Sequence, residues 1–163
     1  HVTGIDLSEG MLEIGRRKVH AEGLDDIVAL EQGDCMQMRF ADNSFDCVTV
    51  AYGVRNFEHL EHGFAEMHRV LAPGGMLCVI ELSTPTNPVA KLGYNIYTNH
   101  VIPFVGKLKS HDLRAYRYLP ESIAAAPQRD DMRNIMRSAG FSDCYFKAIT
   151  FSTCTIYVGI KPQ

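Results

Sequence analysis

The sequence predicts an α/β fold: a mostly parallel sheet with helices on both faces and an antiparallel last strand. Three observations predict it. Short apolar runs alternate with segments of helical periodicity over residues 1–82, the rhythm of a sheet whose strands are joined by helices. The run Phe45–Ala51 is apolar apart from Asp46 and Thr49, as for a strand covered on both faces. The last two apolar runs, Tyr145–Thr150 and Thr155–Lys161, are joined by a short Phe-Ser-Thr-Cys link. So short a link cannot hold a crossover helix, which makes the two strands antiparallel neighbours.

The elements follow in order. His1 to Ser8 reads as the end of a buried strand running into a helix cap. Val2 and Ile5 are strand formers, and Ser8 is a good N-cap. Glu9 falls in the first helical turn, and Leu12, Gly15, Arg16 and Val19 mark one face. Arg16, Arg17 and Lys18 suit the later turns, and Gly23 suits the stop. Ile27–Glu31 is a second strand, followed by Gln-Gly-Asp-Cys, and Phe45–Ala51 is the third. Phe57–Leu71 is helical and ends at Ala72-Pro73-Gly74-Gly75, a breaker read as a tight turn. Met76–Leu82 is the fourth strand. The stretch from Asn87 to Pro127 breaks the rhythm, with Tyr94, Tyr97, Phe104, Tyr116 and Tyr118 in it. A connection this long is functional or holds helices of its own, so short helices are expected. Asp130–Ala139 is a helix closed by Gly140. No repeat or linker divides the chain, so one domain over 1–163 is expected, with a helical insertion at about 87–127.

Composition narrows the function. The 163 residues suffice for one domain with one core, and 46% hydrophobic with 21% charged excludes a disordered, collagen-like or coiled-coil chain. A net charge of -3 and a pI near 6.2 argue against nucleic acid as a partner. No apolar run is long enough to cross a bilayer as a helix. The five cysteines, Cys35, Cys47, Cys78, Cys144 and Cys154, are odd in number and show no C-x-x-C pair. Cys47 and Cys78 lie in apolar runs, where a free thiol acts as a small hydrophobe. A reduced, cytoplasmic compartment is expected. His59 and His62 read as solvated surface residues, and no spacing suggests a metal site. The chain begins at His1, so its true start, with any targeting segment, is expected to lie outside it.

Two carboxylates stand where such sheets bind ligands. Asp6, at the carboxyl end of the first strand, can accept two hydrogen bonds from a ribose diol, or it can simply cap a helix. Asp34, in Gly33-Asp34-Cys35 after the second strand, can accept the exocyclic amine of an adenine, with the next backbone N–H meeting a ring nitrogen. Gly-Asp is equally a turn pair.

The order of Gly4-Ile-Asp-Leu-Ser8, Gly33-Asp34, Phe45-Asp46 and Arg69-Val-Leu-Ala-Pro-Gly-Gly75 resembles the Rossmann-like class I methyltransferase fold. Tyr52-Gly-Val-Arg-Asn-Phe57 and Tyr116-Arg-Tyr-Leu-Pro-Glu-Ser-Ile123 resemble signatures of the ubiquinone and menaquinone C-methyltransferases. The resemblance covers essentially the whole chain. It implies S-adenosylmethionine as cofactor, with Asp6 on the ribose, Asp34 and Cys35 around the adenine, and Ala51 lining the methionine end. It implies a polyprenyl quinol as substrate, demethylmenaquinol or a 2-polyprenyl-6-methoxy-benzoquinol, methylated on a ring carbon in menaquinone or ubiquinone biosynthesis. Arg55 would then stabilise a developing phenolate or orient a water, and Asn56 would fix the same ring oxygens. A surface ion pair is the plain alternative for Arg55, but a position just past a central strand's carboxyl end favours the binding crevice. Tyr116 and Tyr118 would form a lid, or would only pack the insertion's own small core, with Tyr97 and His100 beside the substrate by position. Contact with the inner face of the membrane follows from the substrate alone, and a homodimer is a further partner within that implication.

The family's first strand and its glycine-rich loop have no counterpart here, since no G-x-G-x-x-G occurs. That strand would lie between the strands ending at Asp6 and Ala51. Both should then face a gap, each unpaired buried group costing roughly 1–3 kcal/mol. The expectation is a partial record or a poorly stable piece. The competing functional readings are a methyltransferase for another small apolar molecule, a nicotinamide-dependent oxidoreductase and a non-catalytic remnant acting as a binding module.

Overall fold

The computed structural model describes residues 1–101 and 113–163, with the side chains of 99–100 and 113–117 outside the described set. The chain runs β1 (Val2–Asp6), α1 (Glu9–Ala21), β2 (Val28–Gln32), β3 (Phe45–Ala51), a 3-10 turn at Val54–Asn56, α2 (Leu60–Val70) and β4 (Leu71–Leu82). There follow α3 (Pro88–Ile96), a π-helical turn at Tyr97–Val101, α4 (Leu113–Ala125), α5 (Asp130–Ser138), β5 (Ser142–Ile149) and β6 (Cys154–Ile160). Ser8 caps α1, its side chain accepting from the Met11 amide at 3.4 Å.

The strands form two sheets. β1 pairs in parallel with β2. The second sheet has the order β3-β4-β6-β5, with β3 and β4 parallel and both β6 contacts antiparallel. The parallel strands and the antiparallel last pair are as the sequence predicts. Burial of β1 and β3 is not. Val2 is 57% exposed, and Cys47, Thr49 and Ala51 of β3 are exposed. Each of these strands has one edge without a partner strand among the described residues. An apolar side chain on a strand is sheltered only when a flanking strand and a covering helix close over it, and of β3 only Val48 and Val50 pack against the core. Cys47 is accordingly exposed and Cys78 half-buried.

Ala72–Gly75 is not a tight turn. It lies within β4 as a bulge: Phe45 pairs with Leu71, and the ladder resumes with Cys47 against Met76. Gly74 takes a φ of 79°, and its amide donates to the Lys161 carbonyl at 2.9 Å. A Cβ on Gly75 would stand 2.8 Å from the Ala72 oxygen and 3.0 Å from the Asp46 oxygen. Both obstacles are backbone and cannot swing aside. Gly75→Ala is expected to cost about 1–3 kcal/mol, read as a lowered urea midpoint at unchanged slope.

The core lies between the four-stranded sheet and α2 with α5. Phe64 and Met67 meet Met132, Met136, Leu77, Val79 and Tyr157, all fully or almost fully buried. On β4 the two-residue period sends Leu77, Val79 and then Glu81 to that same inner face. A carboxylate therefore enters the interior at the carboxyl end of the strand, where it needs a partner.

Candidate active site

The partner is Arg55. At the end of β3 the Tyr52 amide still donates to the Ile80 carbonyl at 2.8 Å, but Tyr52 itself takes a φ of 57°. This left-handed residue, uncommon for a bulky side chain, turns the chain off the sheet into the Val54–Asn56 turn. Val54 is buried beneath it, and Arg55 folds back over the end of β4. Arg55 Nη1 donates to Glu81 Oε1 at 2.7 Å and to the Tyr52 carbonyl at 2.6 Å. The Arg55 amide donates to Glu81 Oε2 at 3.2 Å, and the Leu82 amide donates to Oε1 at 2.9 Å. The two side chains are 13% and 3% exposed. Arg55 Nε is buried with no acceptor among the described residues. The surface ion pair weighed for Arg55 is thus a buried one. Glu81 was not singled out in the sequence. Its signal there is an acidic residue in phase with Leu77 and Val79 on an otherwise apolar strand.

Asn56, next along the turn, accepts a hydrogen bond from the Tyr118 hydroxyl at 2.8 Å. That contact ties α4 to the turn. Arg55 and Tyr118 line a cavity of about 420 Å³ with Phe57, Ser122 and Ile135, and Asn56 stands behind it, bonded to Tyr118. Tyr97 does not join them. It lines a separate, open apolar groove of about 750 Å³ with Val89, Tyr94 and Phe151. The side chains of His100 and Tyr116 lie outside the described residues.

A second cluster sits at the carboxyl ends of β1 and β2. Asp6 is in register with Gln32, and the Gly33 amide donates to the Asp6 carbonyl at 3.1 Å. Asp6 Oδ1 accepts from the Ser8 amide at 2.8 Å, so it does cap the turn. Its other oxygen has no donor among the described residues. Asp34 Oδ1 accepts from the Met36 amide at 2.8 Å, the turn that Gly-Asp suggested. Half-buried Cys35 lies beside both carboxylates. Burial first, then the Asp34 charge and more weakly the Asp6 charge, push its thiol pKa up, although a backbone hydrogen bond pulls the other way. Ala51, exposed at the end of β3, belongs to the other sheet, and no strand pairing joins it to this cluster.

His59 and His62 are exposed, and among the described residues no three metal-ligating side chains gather. No helix among them is long and apolar enough to cross a membrane.

Residues 1–161 match the ubiE/COQ5 methyltransferase family. The chain is 49% identical over 160 residues to the demethylmenaquinone methyltransferase of Porphyromonas gingivalis, covering 98% of this chain and 65% of that one. It is 43% identical over 161 residues to the demethylmenaquinone methyltransferase of Thermus thermophilus, covering 99% and 72%. Its backbone is similar to that of phosphoethanolamine N-methyltransferase 2 of Haemonchus contortus in complex with S-adenosyl-L-methionine, with a TM-score of 0.71 at 15% identity over 99% of this chain and 43% of that one. The chain thus spans just under two thirds of the Porphyromonas relative and rather more of the Thermus one. Its fold is of the Rossmann-like class I methyltransferase type, and the chain belongs to the ubiE/COQ5 methyltransferase family.

Proposed function

We propose that the protein is an S-adenosylmethionine-dependent methyltransferase that methylates a ring carbon of a polyprenyl quinol, demethylmenaquinol or a 2-polyprenyl-6-methoxy-benzoquinol. The observation that carries the reading is the meeting of Arg55, Asn56 and Tyr118 at the end of β3. Two relatives sharing more than 40% identity are named demethylmenaquinone methyltransferases, which supports the same reading.

The rim of β1 and β2 fits the cofactor's nucleoside. The uncommitted oxygen of exposed Asp6 suits a ribose hydroxyl, and Asp34 with half-buried Cys35 suits the adenine edge. The Ala51 backbone would meet the methionine end. When bound, S-adenosylmethionine supplies a methyl group already activated by its sulfonium.

The chain's own work is to orient a ring carbon, exclude water and manage the hydroxyl proton. A quinol carbon becomes nucleophilic as the neighbouring hydroxyl ionises. Arg55 stays protonated and is no base. Its charge favours the phenolate instead. Asn56 Oδ1 is occupied by Tyr118, which leaves the amide nitrogen to donate to a ring oxygen. The hydroxyl proton passes to water, and the hydrogen displaced from the methylated ring carbon moves to the ring oxygen, which restores the quinol. Tyr118 closes the ring site from α4. The groove beside Tyr97 offers apolar surface to an isoprenoid tail, with Phe151 88% and Val89 80% exposed at its rim. That exposed face also suits contact with the membrane in which the tail dissolves, from the cytoplasmic side.

The test uses full-length protein, methyl-labelled S-adenosylmethionine and each quinol under reducing conditions. Label entering the extracted quinol is the expected result, and no transfer to either quinol sinks the reading. Asp6→Ala is expected to raise the cofactor Kd about 10- to 100-fold by calorimetry, the value of hydrogen bonds to a charged acceptor, with the quinol KM unchanged.

A further inference from the structure

We propose that Glu81 is a positioning residue for methyl transfer, acting only through Arg55. The inference rests on the reading above and adds to it a residue that touches neither substrate nor cofactor.

The geometry is that of a clamp. A guanidinium has five N–H donors in a rigid plane, so fixing one nitrogen orients the other two. Nη1 is fixed twice, by Glu81 Oε1 at 2.7 Å and by the Tyr52 carbonyl at 2.6 Å. The carboxylate is itself immobilised. Oε2 accepts from the Arg55 amide and Oε1 from the Leu82 amide, so the same group grips both the backbone and the side chain of Arg55. Beneath it lies the rigid centre of the sheet, since Glu81 pairs with Thr155 across β4 and β6. Such a grip on the Nη1 end leaves the Nε edge buried and unspent.

The charge argument points the same way. An arginine needed only for its charge could stand in solvent at little cost. Burying it with a carboxylate is expensive unless geometry is gained. Here the return is a cation held in one orientation beside Asn56. A carboxylate gripping a cation and two amides is poorly suited to collect a proton as well. Glu81 therefore acts on the orientation of Arg55 and is not the proton acceptor.

The experiment is a double-mutant cycle on full-length protein with Glu81→Gln and Arg55→Lys, reading kcat, quinol KM, cofactor Kd and the pH profile of kcat. Glutamine keeps the shape and one acceptor oxygen but loses the charged grip, so the guanidinium drifts. A displacement near 1 Å can cost about 10²-fold in rate. Glu81→Gln is expected to lower kcat about 10- to 100-fold in the Arg55 background, with cofactor Kd within about threefold of the original. In the Arg55→Lys background the same change should cost less than about threefold, because Glu81 can still pair with the ammonium but there is no planar guanidinium left whose orientation it sets. Glu81→Asp, which keeps the charge on a shorter arm, should recover part of kcat. The proposal is overturned by an equal loss in both backgrounds, or by an unchanged kcat for Glu81→Gln. Disappearance of the acidic limb of the pH profile in Glu81→Gln would overturn it too, by making Glu81 the proton acceptor. If Glu81→Gln does not fold, a Glu81→Asp variant with unaltered kcat and an intact cofactor Kd overturns it instead. A wild-type protein with no transferase activity removes the reading of the site and this inference together, whereas an active enzyme that needs Arg55 but not Glu81 removes only the inference.

Discussion

Arg55→Met in the full-length protein is expected to lose about 3–5 kcal/mol of folding stability along with most of its methyl transfer. The stability loss comes from what stays behind. Glu81 is 2% exposed, and removing its cation leaves a buried carboxylate with two backbone amides but no neutralising charge, which costs that much in comparable settings. A typical domain is stable by only about 5–15 kcal/mol, so the variant will sit near its unfolding threshold. A second change separates the two effects. Adding Glu81→Gln removes the stranded charge, and the double variant should regain at least about 2 kcal/mol over Arg55→Met alone. It should regain no methyl transfer, because the guanidinium is still missing. Urea denaturation and initial rates on the parent, Arg55→Met and the double variant read both quantities. Equal stability for Arg55→Met and the parent would mean that the pair is not desolvated as a unit.

What the sequence revealed and what it hid divide along a physical line. Local signals were legible. β3 runs from Phe45 to Ala51 as its apolar pattern predicts, Ser8 caps α1, and the short Phe151–Cys154 link makes β5 and β6 antiparallel. Each of these is decided by residues within a few positions of one another. The site was half legible. Arg55, Asn56 and Tyr118 were named from the motifs they stand in, yet the hydrogen bond between Asn56 and Tyr118 crosses 62 positions and no local pattern encodes it. Glu81 was missed because a charged residue at the end of an apolar run reads as the point where a strand reaches solvent. Its two-residue phase with Leu77 and Val79 is the signal that it faces inward, and the burial of that face bears this out. Burial of β1 and β3 was misread for the same reason in reverse. Apolar composition states what a strand would shelter if covered, while the covering is set by neighbours elsewhere in the fold. At Ala72–Gly75 the breaker residues were seen, but glycine and proline serve a bulge as readily as a turn, and the pairing of Phe45 with Leu71 decides between them.

Residues 1–33, in a polypeptide of residues 1–163 by itself, are expected to open far more readily than the rest and to bind S-adenosylmethionine weakly. The unit β1-α1-β2 has its own parallel pairing but no strand pairing to the four-stranded sheet. Leu12 is its one fully buried apolar side chain, while Val2, Leu7, Met11, Ile14, Leu24 and Ile27 are all exposed. Fixing each backbone residue costs about 1–2 kcal/mol, and burying one leucine returns about 1.5–3 kcal/mol. The Arg16 side chain adds only a partly exposed ion pair with Glu9 and weak bonds to the Leu30 carbonyl, worth about 1 kcal/mol at most. The sheet around Val79 and Tyr157 has no such deficit, being closed by α2 and α5. Amides of β1 and β2 should therefore exchange with solvent at rates close to those of an unfolded chain, while those of β4 and β6 stay protected to near the global limit. Urea should reveal two transitions rather than one. Since Asp6 stands on the unit that opens and Asp34 follows directly on it, cofactor affinity in this polypeptide should be reduced to the fraction of time the unit is formed. Calorimetry should show no micromolar binding. Protection of the Gly4 and Ile5 amides equal to that of Val79, or tight cofactor binding by these residues alone, would show that the first unit is held by forces other than its own small core.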